Sequence, residues 1–401
     1  MSENDRVKRG ELGAEPLPAL GALARAHRLR TAFPAPLRRF ARGLVHWEAY
    51  EREAWAAHDP CPDSPDVSAY DGRIPVTLGI VQAHGYLWRN YICACRELGV
   101  PYRIVDITGP DWLSVVRESG CDGFLVWPCP KLSSWKQMVD ERTMIMVGEL
   151  GAAVYPSYQE LWLYESKRRV QYWLEANDVP RPRTWVFTSH LDALAFGRSV
   201  DLPVVFKTDL GSSAAGVRIV TGRRALLRLI DRSFTTGVAR LDGHRGDRHW
   251  GSVILQEYLE GVQEWRAIRL GRSYFGHKKL KRGAFHSGSG RVSWENPPME
   301  LLDLAHGVTE RGRFTSAALD VFETPDGRLV VNELQPLFGS YSPTQMIVDG
   351  RPGRYVRDET RGTWRFEEGI FCQNASCNLR VLTFLELLGH PCTDPPAGAC
   401  P

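Results

Sequence analysis

Between Ile74 and Ser157 short apolar runs alternate with helical segments, and this alternation constrains the fold more than any other feature of the chain. The apolar runs are IPVTLGIVQ, YRIVDIT, GFLVWP and AAVYPS. The intervening segments run through Arg89 to Leu98, onward from Asp111, and from Ser133 to Leu150. Strands joined through helices pair in parallel by right-handed crossovers, so a Rossmann-like α/β lobe is expected over residues 74–155. Open parallel sheets bind ligands beyond the carboxyl ends of their strands. The first such turn, AHGYLWRN, has no GxGxxG and predicts no dinucleotide; His84, Gly85 and Arg89 are either substrate contacts or parts of a plain surface turn.

The flanking sequence reads differently. Residues 1–73 are rich in Ala, Arg, Leu and Pro, with helical periodicity in ALGALARAHRLR and from Leu37 to Ala57, then a turn-rich run, HDPCPDSPDVSAYDGR. This predicts a helical N-terminal extension and linker, which either packs on the Rossmann-like lobe or mediates self-association as a homodimer. Beyond the lobe, one α+β subdomain is expected over 156–255, opening with a helix from Tyr158 to Asn177. A second is expected over 256–401, ending in a tail. In the second, Asp326-Gly327 between two apolar alternations signals a hairpin.

A chain of 401 residues exceeds what one core usually fills, which agrees with several lobes. Net charge is +3 with both signs interspersed, so neither a nucleic-acid surface nor a polybasic membrane anchor is expected. The opening MSENDRVKRGELGAEPLP lacks the apolar segment of a secretory signal, no later stretch is apolar enough to span a bilayer, and a cytoplasmic protein is expected. Nine cysteines, an odd and scattered set, predict reduced thiols.

Three segments carry candidate chemistry. In VVFKTDLGSSAAGVRIV, Lys207 ends a strand ahead of a flexible turn containing Gly211, Ser212 and Ser213; an ammonium and backbone N–H groups can surround phosphate oxygens there, or the lysine is simply solvated. In ILQEYLEGVQEWRAIRLG, the turn at Gln256, Glu257, Tyr258 and Leu259 offers groups to an adenine edge. Glu257 and Glu264 are available for an amino group or ribose hydroxyls, or else are exposed acids on an ordinary strand. In ALDVFETPDGRLVVNELQP, Asp320 and Glu333 fall on neighbouring strands of one hairpin, and Gln335 shares the face of Glu333. Carboxylates on so apolar a hairpin are costly to bury unpaired, and hard oxygen donors suit Mg2+.

Taken in order, YESKRRVQYWLEANDVPRPRTW, PVVFKTDLGSSAAGV, ILQEYLEGVQEWRAI and SAALDVFETPDGRLVVNELQP resemble the motifs of the ATP-grasp superfamily, ligases with a glutathione synthetase-like ATP-binding fold. The resemblance implies ATP and Mg2+ as cofactors and amide formation between a small-molecule carboxylate and an amine through an acyl-phosphate. It implies that Lys167 and Lys207 are the nucleotide lysines, Gln256 to Leu259 the adenine hinge, Glu264 the ribose acid, Arg266 the contact to the transferring phosphoryl group, and Asp320 and Glu333 the metal carboxylates. Gln335 stands where the pattern usually has Asn.

A finer similarity, in YFGHKKLKRGAFHSGSGRVSWENPP and GRPGRYVRDETRGTWRFEEGIF, is to ATP-grasp proteins of surface-polysaccharide or specialised-metabolite pathways. There an arginine commonly precedes the Ser-Gly tract, whereas this chain has Phe285 and His286; Lys278, Lys279, Lys281 or Arg282 are left to supply that charge. The Ser-Gly tract with Ser287 and Ser289 is either a plain flexible loop or, amid basic residues, a lid that closes over an intermediate, and the lid is the expectation; His286, Ser287, Ser289, Lys279, His84 and Arg89 are candidate substrate contacts. A kinase of the same fold and a non-catalytic nucleotide-binding regulator are the rival readings. Cys372, Cys377, His390 and Cys392 fit no tight zinc template.

Overall fold

A computed structural model describes residues 68–211, 216–239, 244, 246–281, 283, 286, 290–339 and 342–391. The chain divides into two units, 1–58 and 59–401. The N-terminal helical extension predicted from the sequence lies outside the described residues up to residue 67.

The first sheet of the second unit contains β1 (Ala69–Tyr70), β2 (Leu78–Gln82), β3 (Tyr102–Asp106), β4 (Gly123–Leu125) and β5 (Val154–Tyr155), in the order β1-β3-β2-β4-β5. β3, β2, β4 and β5 run parallel, as the alternation predicts, while β1 joins antiparallel from the N-terminal side of the expected boundary at 73. Helices α1 (Arg89–Leu98), α2 (Trp112–Glu118) and α3 (Ser133–Gly148) supply the connections. Leu78, Ile80 and Leu125 are fully buried, which is the burial a central parallel strand requires and contributes about 2 kcal/mol for each such side chain.

The predicted helix from Tyr158 to Asn177 is two helices, α4 (Tyr158–Leu163) and α5 (Lys167–Ala176). Each carries its own start signal. Ser157 and Glu160 form a capping box on α4, and Ser166 caps α5 by accepting the Arg169 N–H. Between them Glu165 takes a left-handed conformation with φ of 59°. The buried Glu160 carboxylate also accepts the backbone N–H groups of Thr315 and Ser316, at 2.8 and 2.7 Å, which ties α4 to the start of a later strand.

β6 (Thr184–Phe187), β7 (Val204–Lys207), β8 (Val217–Val220) and, after the small β9 (Val238–Ala239) and β10 (Arg248–His249) pair, β11 (Val253–Glu257) form a four-stranded sheet in the order β6-β11-β7-β8. α6 (His190–Ser199) and α7 (Arg223–Thr235) cover one face, through a core that includes Phe206, Leu226 and Ile230. The last sheet has eight strands: β12 (Gln263–Leu270), β13 (Ser273–Lys279), β14 (Val292–Ser293), β15 (Ser316–Glu323), β16 (Leu329–Gln335), β17 (Ile347–Val348), β18 (Arg351–Asp358) and β19 (Thr363–Glu368). α8 (Met299–Gly312) packs on it with α5, through Leu174, Leu301, Phe314 and Leu319. The β15–β16 hairpin turns at Asp326-Gly327 as expected, with Gly327 at φ of +81° where a side chain would be strained.

α9 (Gln373–Leu387) departs from the expected tail: Cys377, Val381, Phe384 and Leu385 are buried in the core of the Rossmann-like lobe. Cys95, Cys121, Cys129, Cys372 and Cys377 are free thiols, and Cys93 is instead disulfide-bonded. Cys392 lies outside the described residues, and no helix among the described residues is long and apolar enough to cross a membrane.

Candidate active site

One face of the eight-stranded sheet carries the chemistry because of register. Arg266 on β12 sits opposite Asp320 on β15 and opposite His277 on β13, and Glu264, two residues away on the same face, sits opposite Lys279. Asp320 is in turn opposite Glu333 on β16, so the two acids that the hairpin pattern predicted on one face are direct cross-strand neighbours. A bulge follows immediately: Val321 pairs with Val331, leaving Asn332 as the extra residue. Val331 and Leu334 are fully buried in the core on the other side of the sheet, so Asn332 and Glu333 both turn toward the cleft.

That cleft lies between this face and the four-stranded sheet and has about 800 Å³ of empty space, counted out to its open mouth. Lys167, Lys207, Gly211 and Glu333 line one part of it. Gln256, Glu257, Tyr258 and Leu259 line another, with Glu264, Lys281 and His286 beside them and Val205, Ile219 and Phe322 supplying apolar walls.

Lys167 is the first residue of α5, not an interior helix residue. Its ammonium donates to the Gly211 carbonyl and lies 3.8 Å from Glu333 Oε1. Lys207, at the end of β7, is buried and donates to Asn332 Oδ1 at 2.9 Å. Burial pushes its pKa down to about 8, with Lys167 adding to the effect and Glu333 opposing it. The loop between β7 and β8 closes at its base through the Thr208 N–H to Gly216 carbonyl bond of 2.9 Å, and Asp209 fastens it to α5 by accepting from the Arg168 N–H and the Ser166 hydroxyl, each at 2.9 Å.

Arg266 grips Asp320 with two parallel bonds, Nε to Oδ1 at 2.8 Å and Nη2 to Oδ2 at 3.1 Å, and Lys279 donates to Asp320 Oδ2 at 2.8 Å and also to Glu264. Burial works against the Asp320 carboxylate, but Arg266 and Lys279 outweigh it and hold its pKa well below the usual carboxylate range. His286 Nδ1 lies 3.5 Å from Glu264, and its burial, together with Lys281 and Lys279, lowers its pKa to about 4.

Several expectations change. The Glu257 carboxylate lines the cleft but is already partnered, Oε1 accepting the Arg183 N–H at 2.7 Å and Oε2 the Arg183 Nε at 2.8 Å. The Glu264 carboxylate is engaged by Lys279 and His286. Gln335 supports rather than faces the cleft: its Nε2 donates to Glu333 Oε1 at 2.8 Å and its Oε1 accepts the Glu165 N–H at 2.9 Å, so it orients Glu333. His84, stacked on Trp135 at 4.3 Å, and the buried Arg89 are not among the residues lining this cleft. Ser212, Ser213, Ser287 and Ser289 lie outside the described residues. The sequence reading missed Asn332, the partner of Lys207, and His277, whose Nδ1 donates to the Gln345 carbonyl at 2.8 Å beside Arg266.

Magnesium fits this donor set. Glu333 lines the cleft with Asp320 as its buried cross-strand neighbour, and a carboxylate oxygen that accepts one hydrogen bond, as Asp320 Oδ1 does from Arg266, keeps a second lone pair for a cation.

No family model matches this sequence, and no curated protein is similar to it. Solved structures do match. N5-carboxyaminoimidazole synthetase from Staphylococcus aureus, complexed with ADP, is 11% identical with a TM-score of 0.51, over 82% of this chain and 81% of that one. The ADP complex of purK, an N5-carboxyaminoimidazole ribonucleotide synthetase, is 14% identical with a TM-score of 0.50, over 72% and 83%. The RimK domain protein ATP-grasp from Sphaerobacter thermophilus matches at 17% identity and a TM-score of 0.45, over 65% and 90%. Identities this low speak for architecture alone, and on that ground, with its five-, four- and eight-stranded sheets, the chain has the ATP-grasp fold.

Proposed function

We propose that this chain is an ATP-dependent carboxylate–amine ligase acting through an acyl-phosphate, with residues 74–155, 156–255 and 256–401 as its acceptor lobe and two nucleotide-clasping subdomains. The observation that carries the proposal is the meeting of Lys167 and Lys207 with Glu333 and Asn332 across one cleft, whose other wall is the hinge strand β11. Two ammonium groups facing the Glu333 carboxylate, with Asp320 as its cross-strand neighbour, make a charge pattern that a magnesium-bound triphosphate completes. Asp320 and Glu333 would hold Mg2+, which when bound neutralises phosphate charge.

The protein's own groups then have distinct work. Lys167 and Lys207 neutralise the phosphates, and Arg266, held in place by Asp320, offers its remaining N–H groups to the transferring phosphoryl oxygens. A substrate carboxylate oxygen attacks the γ-phosphorus and the bond to the ADP oxygen breaks. The amine nitrogen then attacks the acyl carbon; the bond to phosphate breaks, and orthophosphate and a proton leave. Positioning and electrostatics supply the rate, and no protein nucleophile is required.

The neighbours crystallised with ADP support the nucleotide half of this reading. The pairing of Lys279 with Glu264 and Asp320 leaves the cleft less basic than a kinase pocket for a polyphosphorylated hydroxyl substrate. A screen of carboxylates and amines for stimulated ADP release, with mass analysis of the product, tests the proposal. ADP with orthophosphate and an amide is the expected result, whereas a phosphorylated product identifies a kinase. Glu333→Ala is expected to abolish turnover with an unchanged circular dichroism spectrum, and retained activity removes the proposed metal role.

A further inference from the structure

The strap from Asp247 to Ser252 touches both the Rossmann-like lobe and the loop after Lys207. At one end it caps a helix that cannot cap itself. The N-cap position of α3 is Leu132, which has no side-chain acceptor, and the first turn of α3 contains no acidic residue. Asp247, distant in sequence, takes both roles: its Oδ2 accepts the Ser133 N–H at 3.0 Å and its Oδ1 accepts the Ser133 hydroxyl at 2.5 Å.

At the other end, His249 Nδ1 accepts the Asp209 N–H at 3.3 Å, so the ring proton is on Nε2, facing Ser252 Oγ at 3.4 Å. Burial lowers the pKa of this ring against the pull of Asp209, which keeps Nδ1 an acceptor near neutral pH. Asp209 is the residue that fixes the start of α5: its carbonyl accepts the Lys167 N–H at 3.1 Å and its carboxylate accepts the Arg168 N–H. The strap itself is anchored on the end of α7. Arg248 Nη1 donates to Thr236 O at 2.8 Å, Trp250 Nε1 to Thr235 O at 3.2 Å, and the Gly251 N–H to Ser233 O at 2.9 Å. These bonds fix the shape of the strap between its two ends.

We propose that Asp247 and His249 are positioning residues which couple the seating of the Rossmann-like lobe, through Ser133, to the geometry of the Lys207–Gly211 loop and of Lys167. The acceptor lobe and the nucleotide loop then order together, so a nucleotide is held tightest when α3 is docked on the strap. The effect on nucleotide affinity rests on the functional reading above; the mechanical link does not.

The test uses the full chain with Asp247→Ala, Asp247→Asn, Ser133→Ala and the double variant Ser133→Ala/Asp247→Ala. Amide hydrogen exchange at Asp209 and calorimetric binding of a non-hydrolysable ATP analogue with Mg2+ are measured on each. Asp247→Ala is expected to speed exchange at Asp209, a residue it does not touch, and to weaken binding about fivefold, the scale of losing one helix cap. Asp247→Asn, which keeps one acceptor oxygen, is expected to recover part of both effects. The double variant is expected to lose little more than Asp247→Ala alone. In any assay of turnover, the Asp247 variants raise KM for ATP more than they lower kcat. Wild-type exchange at Asp209 in Asp247→Ala overturns the mechanical link, and faster exchange with unchanged affinity overturns its connection to nucleotide. Failure of the unmodified chain to bind the analogue at all counts instead against the functional reading, while exchange still decides the coupling.

Discussion

At the scale of single residues, Lys207 is the group whose chemistry is most exposed to test. Its ammonium is buried with a pKa near 8, against an ordinary value near 10.5. Between those values the unfolded chain binds the proton and the folded chain does not, so this group makes stability rise as pH increases through that window. Nucleotide affinity moves the other way, because a neutral amine no longer attracts phosphate. Calorimetric titrations from pH 7 to 9.5 are expected to show affinity falling by up to about tenfold per pH unit above 8, with uptake of a proton on binding. A flat profile removes Lys207 from the phosphates. The lysine itself was legible in the sequence, since it ends an apolar strand before a Gly/Ser turn. Its partner was not. Asn332 reaches Lys207 only because a bulge inserts it, and a strict two-residue period assigns it to the core side of the hairpin.

At the scale of elements, the sequence reading succeeded where periodicity is uninterrupted and failed where the backbone breaks it. The parallel pairing of β3, β2, β4 and β5 follows from the alternation that opens the lobe, and the cross-strand pairing of Asp320 with Glu333 follows from the hairpin. The division of α4 from α5 was missed although Ser157 with Glu160, and Ser166, are start signals in plain view. The consequence is functional, because the break puts Lys167 at a helix start facing the loop. That loop has its own sharp constraint: a Cβ on Gly216 would sit 1.8 Å from Thr208 Oγ1. Gly216→Ala is therefore expected to open the base of the loop and weaken nucleotide binding at least about tenfold, on the scale of a strained turn, with little change in melting temperature. Adding Thr208→Gly to it makes room and should restore most of the affinity; no recovery would assign the loss to something other than this contact.

At the scale of the whole second unit, the helix read as a tail joins two cores. Arg380 on α9 is fully buried, with its guanidinium 4.9 Å from the Trp127 ring and 4.7 Å from the Phe338 ring. Trp127 follows β4 of the Rossmann-like lobe and Phe338 follows β16 of the site sheet, so one cation is shared by the two layers. It donates to the carbonyls of Ala375 and Phe338, at 2.9 and 3.3 Å, and to Ser316 Oγ at 3.3 Å. The Ala375 bond steadies a left-handed run, Asn374 to Ser376 with φ between 50 and 66°, that side chains adopt only at a cost of about 1–2 kcal/mol each. Nothing in QNASCNLR distinguishes this arginine from a surface one by spacing, because what buries it comes from distant segments. Removing it takes away charged hydrogen bonds worth about 1.5–3 kcal/mol apiece and two ring contacts at once. Arg380→Ala should cost at least about 3 kcal/mol in denaturant unfolding, and Arg380→Met, which keeps the volume, nearly as much. Cys377 supplies an independent reporter, since burial pushes its thiol up to about 12 and it should resist labelling in the native chain. In Arg380→Ala that labelling should quicken well before global unfolding, as α9 lifts from the lobe. A variant of wild-type stability with Cys377 still protected would mean that apolar packing alone holds the two cores together.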